Sequence, residues 1–276
     1  MKAMRPGSDA PAPAAPPAVA ASPPLREDLR IAAWLALACA LAIAALFPYL
    51  LDLMPALRAK LPLPLALLVP LQALQGGLLM GALALFGLRM GPRAGLDAPW
   101  LRALATGRPR PDVPWARCLG IGVGVGAVLV GLSLLVDPHL PPPLHPLPEP
   151  GAAAAWKGLL ASFYGGIGEE VQLRLFLMTL VVWIGARLRR RSPTAPLYWL
   201  AIVATALLFG AGHLPGAASV WPLTPLVVLR TLLLNGIAGM AFGWLYWRRG
   251  LEAAMLAHFC ADLVLHVAVP LFAGAG

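Results

Sequence analysis

Two adjacent glutamates and an arginine lie in the middle of a long apolar stretch of this sequence. Glu169, Glu170 and Arg174 belong to the segment GEEVQLR, within residues 158–186. Glu170 and Arg174 are four residues apart, so on a helix they share a face and can form an ion pair. Glu169 is offset from Glu170 by about 100° and points elsewhere. This leaves an unpaired carboxylate, a type of group that can act as a general base.

Two further motifs follow in later apolar stretches. Phe209 and His213 are one helical turn apart in FGAGH, and HFCAD places His258 one turn before Asp262. Because residues four apart meet on a helix, the Asp262 carboxylate can hold the His258 imidazole. Together with Glu169, these groups suffice for general-base activation of water, with polar groups left to stabilise an oxyanion.

The composition indicates what surrounds these groups. Hydrophobic residues make up 59 % of the 276 residues and charged residues 12 %, against roughly 45–50 % and about 25 % in soluble domains. So few charges exclude a soluble enzyme and a disordered chain. The net charge of +9 does not indicate nucleic acid as a partner, because the basic residues cluster in short loops between apolar stretches. We predict an all-α, polytopic membrane helix bundle with the lipid bilayer as its partner.

Seven apolar stretches approach or exceed the roughly 20 residues that a bilayer core requires. They cover about residues 31–51, 64–88, 118–136, 158–186, 196–214, 223–247 and 251–270. We therefore predict about seven transmembrane helices, with eight as the upper count.

The positions of lysine and arginine predict the orientation of these spans. With the amino terminus in the cytoplasm, the outside segments carry only Arg58, Lys60 and Lys157. Two of the 21 basic residues lie within spans, and the other sixteen fall on the inside. This positive-inside bias predicts a cytoplasmic amino terminus and a multi-pass protein of the cytoplasmic (inner) membrane.

The charged residues within spans divide the chain into regions. Residues 1–28 are rich in proline and alanine and are predicted to be a disordered cytoplasmic tail. Residues 29–150 hold about three helices without internal charges, whereas residues 151–276 hold five formal charges inside spans and away from their ends. Facing lipid, these five would cost on the order of 15 kcal/mol. They must face one another or a wet cavity, so the chemistry belongs to residues 151–276.

The three motifs EExxxR, FxxxH and HxxxD, in this order on the fourth, fifth and seventh spans, resemble one known family. It is the CAAX protease and bacteriocin-processing (CPBP or ABI) family of intramembrane proteases, which includes the type II CAAX prenyl endopeptidases. The resemblance covers roughly residues 155–270. It implies a bacterial intramembrane endopeptidase that acts on membrane-associated proteins or peptides.

The resemblance also implies roles for individual residues. Glu169 matches the glutamate that activates water, and His213 matches the histidine that helps to position this water. His258 and Asp262 match the pair around the oxyanion. Glu170 and Arg174 match a structural ion pair, and Phe209 completes the second motif as a structural residue.

Position 262 departs from the pattern, because prenyl-protein processing members often have asparagine there. An ionised aspartate cannot donate a hydrogen bond to an oxyanion. We therefore expect Asp262 to orient and charge His258, and His258 to be the donor. Arg230 and His266 match no motif, and their roles stay open.

The catalytic type leaves one alternative. The chain contains no HExxH and no GxSxG motif, so neither a site-two type zinc protease nor a serine nucleophile elbow is indicated. A zinc ion held by Glu169, His213 and His258 is the alternative. We expect no cofactor, because the local ligand spacing of HExxH is missing.

Two other functions compete with a peptidase. One is a non-catalytic membrane scaffold or immunity protein that keeps the same ion pairs. The other is a proton-coupled transporter that uses the buried charges as a relay. The sequence does not indicate the substrate or the oligomeric state.

The depths of the motif residues do not match on straight helices. Glu169 lies about 27 Å of helix from Arg187, whereas His258 lies only about 14 Å from Arg249. The helices must therefore protrude, tilt or bend. The glycines just before Glu169 (Gly165, Gly166 and Gly168) allow a bend there.

Overall fold

Apolar helices form most of the residues that the structure describes. The structure, a computed structural model, describes residues 23–274, and this range contains helices and no strand. Seven helices within it are long and apolar enough to cross a membrane. They are Leu25–Leu53, Leu65–Ala94, Trp115–His139, Ala152–Arg189, Ala195–Val220, Pro225–Arg249 and Leu251–Ala273. The predicted all-α class and number of spans are confirmed, and the cytoplasmic amino terminus stays a prediction.

We number the α-helices along the chain. They are α1 (Leu25–Leu53), α2 (Pro55–Ala59), α3 (Leu65–Ala94), α4 (Pro99–Thr106), α5 (Trp115–Val136), α6 (Ala152–Phe163), α7 (Thr179–Arg189), α8 (Ala195–Gly212), α9 (Leu214–Val220), α10 (Pro225–Arg249), α11 (Leu251–Asp262) and α12 (Val269–Ala273). Of the predicted tail, residues 1–22 lie outside the described residues, and residues 25–28 form the first turn of α1.

The helices pack in pairs, and glycines allow the closest approach. The pairs are α1 with α3, α8 with α10, and α5 with α11. A Cβ atom on Gly122 of α5 would overlap the Ala257 backbone of α11, and one on Gly126 would crowd Ala261. Small residues at such positions let membrane helices pack backbone to backbone. The contact holds α11, which carries His258, against α5.

A short helix that the sequence analysis did not predict, α4, closes one end of the bundle. Its Arg102 donates to Asp28 of α1 at 2.8 Å and to both oxygens of Asp97 at 2.8 and 2.9 Å. Arg89 of α3 donates to the second oxygen of Asp28 at 2.8 Å. Burial lowers the pKa of the Arg102 guanidinium, but its bonds to Asp97 and Asp28 outweigh burial and raise it. These bonds tie α4 to α1 and α3.

The same end of the bundle covers the turn between α10 and α11. The Leu101 amide of α4 donates to Glu252 Oε1 at 2.7 Å, and the Leu251 amide donates to the Asp97 carbonyl at 3.2 Å. Gly250, Leu251 and Glu252 are buried there. Because α4 lies over this turn, α11 begins beneath a covering layer rather than at the end of the bundle. This accounts for the short helical distance between Arg249 and His258.

Candidate active site

The fourth span changes its winding where it carries the first motif. Residues Tyr164–Glu169 and Val171–Met178 are π-helical, between the α-helical segments α6 and α7. π-helical turns are rare and occur frequently at functional sites. The glycine-rich segment thus departs from a straight α-helix, as its composition indicated. Without a side chain at Gly165, the Asp262 carboxylate lies against the backbone here, since a Cβ would overlap Asp262 Oδ2.

The two oxygens of Glu169 face two histidines from different helices. Glu169 Oε1 lies 3.8 Å from Nε2 of His213, at the end of α8. Glu169 Oε2 lies 3.6 Å from Nε2 of His258, on α11. Both distances are too long for direct hydrogen bonds. The side chains of Glu169 and His213 are 19 % and 39 % exposed, so this part of the cluster is open.

The His258 ring is oriented by Glu170, not by the expected Asp262. Nδ1 of His258 donates to Glu170 Oε1 at 2.8 Å, and both side chains are buried. Asp262 Oδ1 lies on the other side of the ring, 3.7 Å from Nε2. The reason is the orientation of the ring. Because Nδ1 points toward Glu170 on the fourth span, the other ring nitrogen, Nε2, is the one that lies near Asp262.

Arg174 anchors Glu170 from behind. Arg174 Nε lies 3.4 Å from Glu170 Oε2, which is the ion pair that the EExxxR spacing predicts. Nη2 donates to the Gly239 carbonyl of α10 at 3.1 Å. The guanidinium also lies over the ring of Phe209, 5.2 Å from its centroid. Arg174, Glu170 and His258 therefore form a buried chain of contacts that ends at Glu169.

Phe209 holds both histidines by contacts with its ring and its backbone. Its ring meets His213 edge to face, with centroids 4.7 Å apart, and meets His258 similarly at 5.7 Å. Its carbonyl oxygen lies 2.8 Å from His213 Nδ1. Because a carbonyl only accepts, Nδ1 carries the proton. In the neutral ring, Nε2 then presents a lone pair toward Glu169.

Two contacts near this cluster were missed by sequence reasoning. Phe242 of α10 stacks on the His258 ring, although it lies in none of the three motifs. Tyr49 of α1 reaches His266, with its hydroxyl 3.5 Å from Nδ1. Nothing in the local sequence distinguishes either residue from an ordinary aromatic of a membrane helix. Only the packing of α10 and α1 against the other spans reveals them.

Arg230, which belongs to none of the three motifs, has a partner elsewhere. Its guanidinium contacts both carboxylate oxygens of Asp137, with Nη2 2.8 Å from Oδ2, and Nη2 lies 3.3 Å from Ser133 Oγ. Its guanidinium also lies 5.5 Å from the centroid of a Trp221 ring. These contacts join α5 to α10, so Arg230 has a structural partner outside the motif cluster.

Zinc would have Glu169, His213 and His258 as its donor set. Over residues 23–274, no group of three or more His, Cys, Asp and Glu side chains has the arrangement of a metal site. The Nδ1 atoms of both histidines face an acceptor, which leaves the Nε2 atoms facing Glu169. Such outer contacts orient histidines in metal sites and in metal-free sites alike.

Comparison with known proteins finds a family similarity in the region that carries these residues. Residues 151–264 match the family model described as type II CAAX prenyl endopeptidase Rce1-like. The match runs from the fourth span into the seventh and includes all three motifs. No curated protein and no solved structure was found to match the chain. The match supports a CAAX-type intramembrane protease in general.

Proposed function

We propose, from the match of residues 151–264 to the type II CAAX prenyl endopeptidases, that this protein is an intramembrane endopeptidase that activates water with Glu169. The observation that carries the proposal is the placement of the Glu169 carboxylate between two histidine Nε2 atoms, at 3.6 and 3.8 Å. At these distances the Glu169 oxygens form no direct hydrogen bonds with the Nε2 atoms of the two histidines. A water molecule and a substrate carbonyl can then bind to them instead.

In this mechanism Glu169 and His213 position the water. The water donates one proton toward Glu169 and the other toward the lone pair on His213 Nε2. Its oxygen lone pair is then free to attack the substrate carbonyl carbon. Glu169 takes the proton as the carbon–oxygen bond forms, and later passes it to the leaving amine as the peptide bond breaks. The second proton of the water stays on the oxygen that becomes part of the carboxyl group of the product.

His258 stabilises the oxyanion of the tetrahedral intermediate. Its Nδ1 proton stays on the hydrogen bond to Glu170, so Nε2 donates when the ring is an imidazolium. A donor aimed at the developing charge is worth roughly 3–4 kcal/mol in acyl transfer. The Asp262 carboxylate, 3.7 Å from Nε2, compensates the positive charge of the ring.

The substrate is a membrane-associated protein or peptide, and water reaches it within the multi-pass bundle. We propose the cytoplasmic membrane of a bacterium as its location, from the family resemblance and the composition rich in alanine, proline and arginine. The distribution of basic residues supports a cytoplasmic amino terminus. We propose a mechanism without metal, because the glutamate and the two histidines come from three separate spans and not from one HExxH helix.

The test uses the purified full chain in detergent with a quenched-peptide library that includes a farnesylated CaaX peptide. Wild type, Glu169→Gln and His258→Ala are compared with and without a chelator. Glu149→Gln, the same chemical change in an exposed loop, is the matched control. We expect cleavage by wild type and by the control, no cleavage by the two site variants, and no effect of the chelator.

Each other outcome favours a different function. Loss of cleavage with the chelator supports a zinc mechanism in which the same residues hold the metal. Activity that survives both site substitutions contradicts the assignment of the site. A proton relay instead predicts that Glu169→Gln removes pH-dependent flux in proteoliposomes while no peptide is cut, and a scaffold predicts an effect on stability alone.

A further inference from the structure

Phe242 is completely buried on α10 and lies flat against the His258 imidazole. The two ring centroids are 4.5 Å apart and the ring planes are inclined by 20°. The other aromatic neighbour of His258, Phe209, meets it at 83° with centroids 5.7 Å apart. Phe242 therefore covers a face of the imidazole, whereas Phe209 meets it edge to face.

The contact with Phe242 restricts the rotation of the His258 ring plane, which the hydrogen bond to Glu170 alone does not restrict. One hydrogen bond at Nδ1 fixes the position of that atom but allows the ring to rock about it. The χ2 torsion of histidine is broad, so the side chain has no strong rotamer preference of its own. The plane of the ring decides where Nε2 points, and Nε2 lies between Glu169 Oε2 at 3.6 Å and Asp262 Oδ1 at 3.7 Å.

The position of Phe242 is itself tied to the first motif. Arg174 donates to the carbonyl of Gly239, which lies three residues before Phe242 on α10. The Arg174 guanidinium also lies 5.7 Å from the Phe242 ring centroid, within the range of a cation–π contact. The residue that anchors Glu170 thus also holds α10 at the level of Phe242. Two contacts of His258, at Nδ1 and at the ring face, depend on one arginine.

We propose that Phe242 is a positioning residue for the hydrolysis, whose ring face sets the plane of His258 and so aims Nε2 between Glu169 and Asp262. The inference rests on the proposed function. Phe242 acts only through His258 and touches no reacting atom. It therefore affects the chemical step rather than the binding of substrate.

The test compares three variants of the full chain. Phe242→Leu keeps apolar bulk and removes the flat face, and Phe242→Tyr keeps the face. Leu245→Ala removes a buried side chain from the same helix and controls for a loss of stability. We expect Phe242→Leu to lower kcat about tenfold or more per folded molecule with KM unchanged. Phe242→Tyr should restore most of the kcat, and Leu245→Ala should lower the melting temperature but not kcat.

A spectroscopic measurement is independent of any substrate. The Cε1 proton of His258, observed with labelled histidine and assigned with His258→Ala, lies in the ring current of Phe242. We expect its resonance to move in Phe242→Leu and to stay in Leu245→Ala. Unchanged kcat or an unmoved resonance in Phe242→Leu overturns the inference. A wild type that cleaves nothing while this resonance responds overturns the proposed function and supports the contact.

Discussion

Two clusters of charged side chains lie in this bundle, and their geometry differs. The first joins Asp28, Arg89, Arg102 and Asp97 at one end of the bundle, with donor–acceptor distances of 2.8 to 2.9 Å. The second surrounds Glu169 in the middle of the fourth span, where four of the five charge separations are 3.4 to 3.8 Å. The close bonds of the first cluster leave no space for another molecule between its charges.

The second cluster also keeps polar atoms without partners. Among the described residues, Glu170 Oε2 and the Nε and Nη1 atoms of Arg174 are buried without a hydrogen bond, and so are Glu27 Oε2 and Glu252 Oε2 at the end of the bundle that holds the first cluster. Unpaired buried groups cost free energy wherever they occur, so the spacing of the charges, not hydrogen-bond satisfaction, distinguishes the two clusters. The close bonds of the first cluster join α1, α3 and α4, and the longer separations of the second leave the space that the proposed function requires for water and substrate.

The largest effect is expected from Glu169→Gln. The amide cannot take a proton from water, so cleavage should fall by about 10³-fold or more. The melting temperature should change little, because Glu169 makes no close hydrogen bond in the structure. Peptide cleavage and thermal unfolding of the same preparation check this. A variant that unfolds instead would place Glu169 with the structural cluster.

Glu170→Gln tests how far a residue of the second cluster contributes to stability as well as to the reaction. The amide oxygen can still accept from His258 Nδ1, but the charge that compensates the buried Arg174 is lost. Breaking a buried ion pair typically costs about 3–5 kcal/mol, so we expect a large fall in unfolding free energy. Chemical unfolding followed by tryptophan fluorescence measures it. Because the hydrogen bond persists, the remaining folded protein should keep part of its kcat; complete loss would show that the charge itself is needed.

Asp28→Asn is the matching change in the structural cluster. Arg102 keeps its two bonds to Asp97, and Arg89 is partly exposed to solvent. We therefore expect a loss of about 1.5–3 kcal/mol in stability, the range for hydrogen bonds to charged groups. The kcat per folded molecule should equal that of wild type. A fall in kcat without a fall in stability would break the comparison, because this cluster would then act on the chemistry.

Tyr49→Phe should have the smallest effect. The hydroxyl lies 3.5 Å from His266 Nδ1, at the limit of a hydrogen bond. We expect a stability change below about 0.5 kcal/mol and activity within about twofold of wild type. Peptide cleavage and melting temperature are again the measurements. Loss of cleavage would mean that α1, outside the residues that match the family, takes part in the reaction.

Periodicity and composition predict much of this molecule. The number of spans follows from the lengths of the apolar stretches. These stretches are helical because every backbone hydrogen-bonding group within a bilayer must be satisfied internally. The Glu170–Arg174 pair follows from spacing along one helix. The π-helical turns are only partly predictable: the glycines indicate a bend near Glu169, but hydrogen-bond shifts within a helix leave no pattern in the side chains.

Contacts between distant helices were beyond sequence reasoning. The EExxxR motif does not reveal that Glu170 bonds to His258, since the two residues are 88 positions apart. Asp262 looked like the natural partner because it lies one turn from His258. In the folded protein Nδ1 points toward the fourth span and bonds to Glu170 instead. Helix α4 was missed because it is short and adjoins a loop rich in arginine and proline.

The cover that α4 forms over the α10–α11 turn has a consequence for biosynthesis. A chain leaves the ribosome amino end first, so residues 97–101 are made before the hairpin they cover. The Leu101 amide and the Asp97 carbonyl are thus a ready docking site for the last hairpin. When it docks, α11 brings His258 to Glu169. The proposed hydrolytic capacity therefore arises as a late event of assembly, and a nascent chain without α11 has no complete site with which to cut its neighbours.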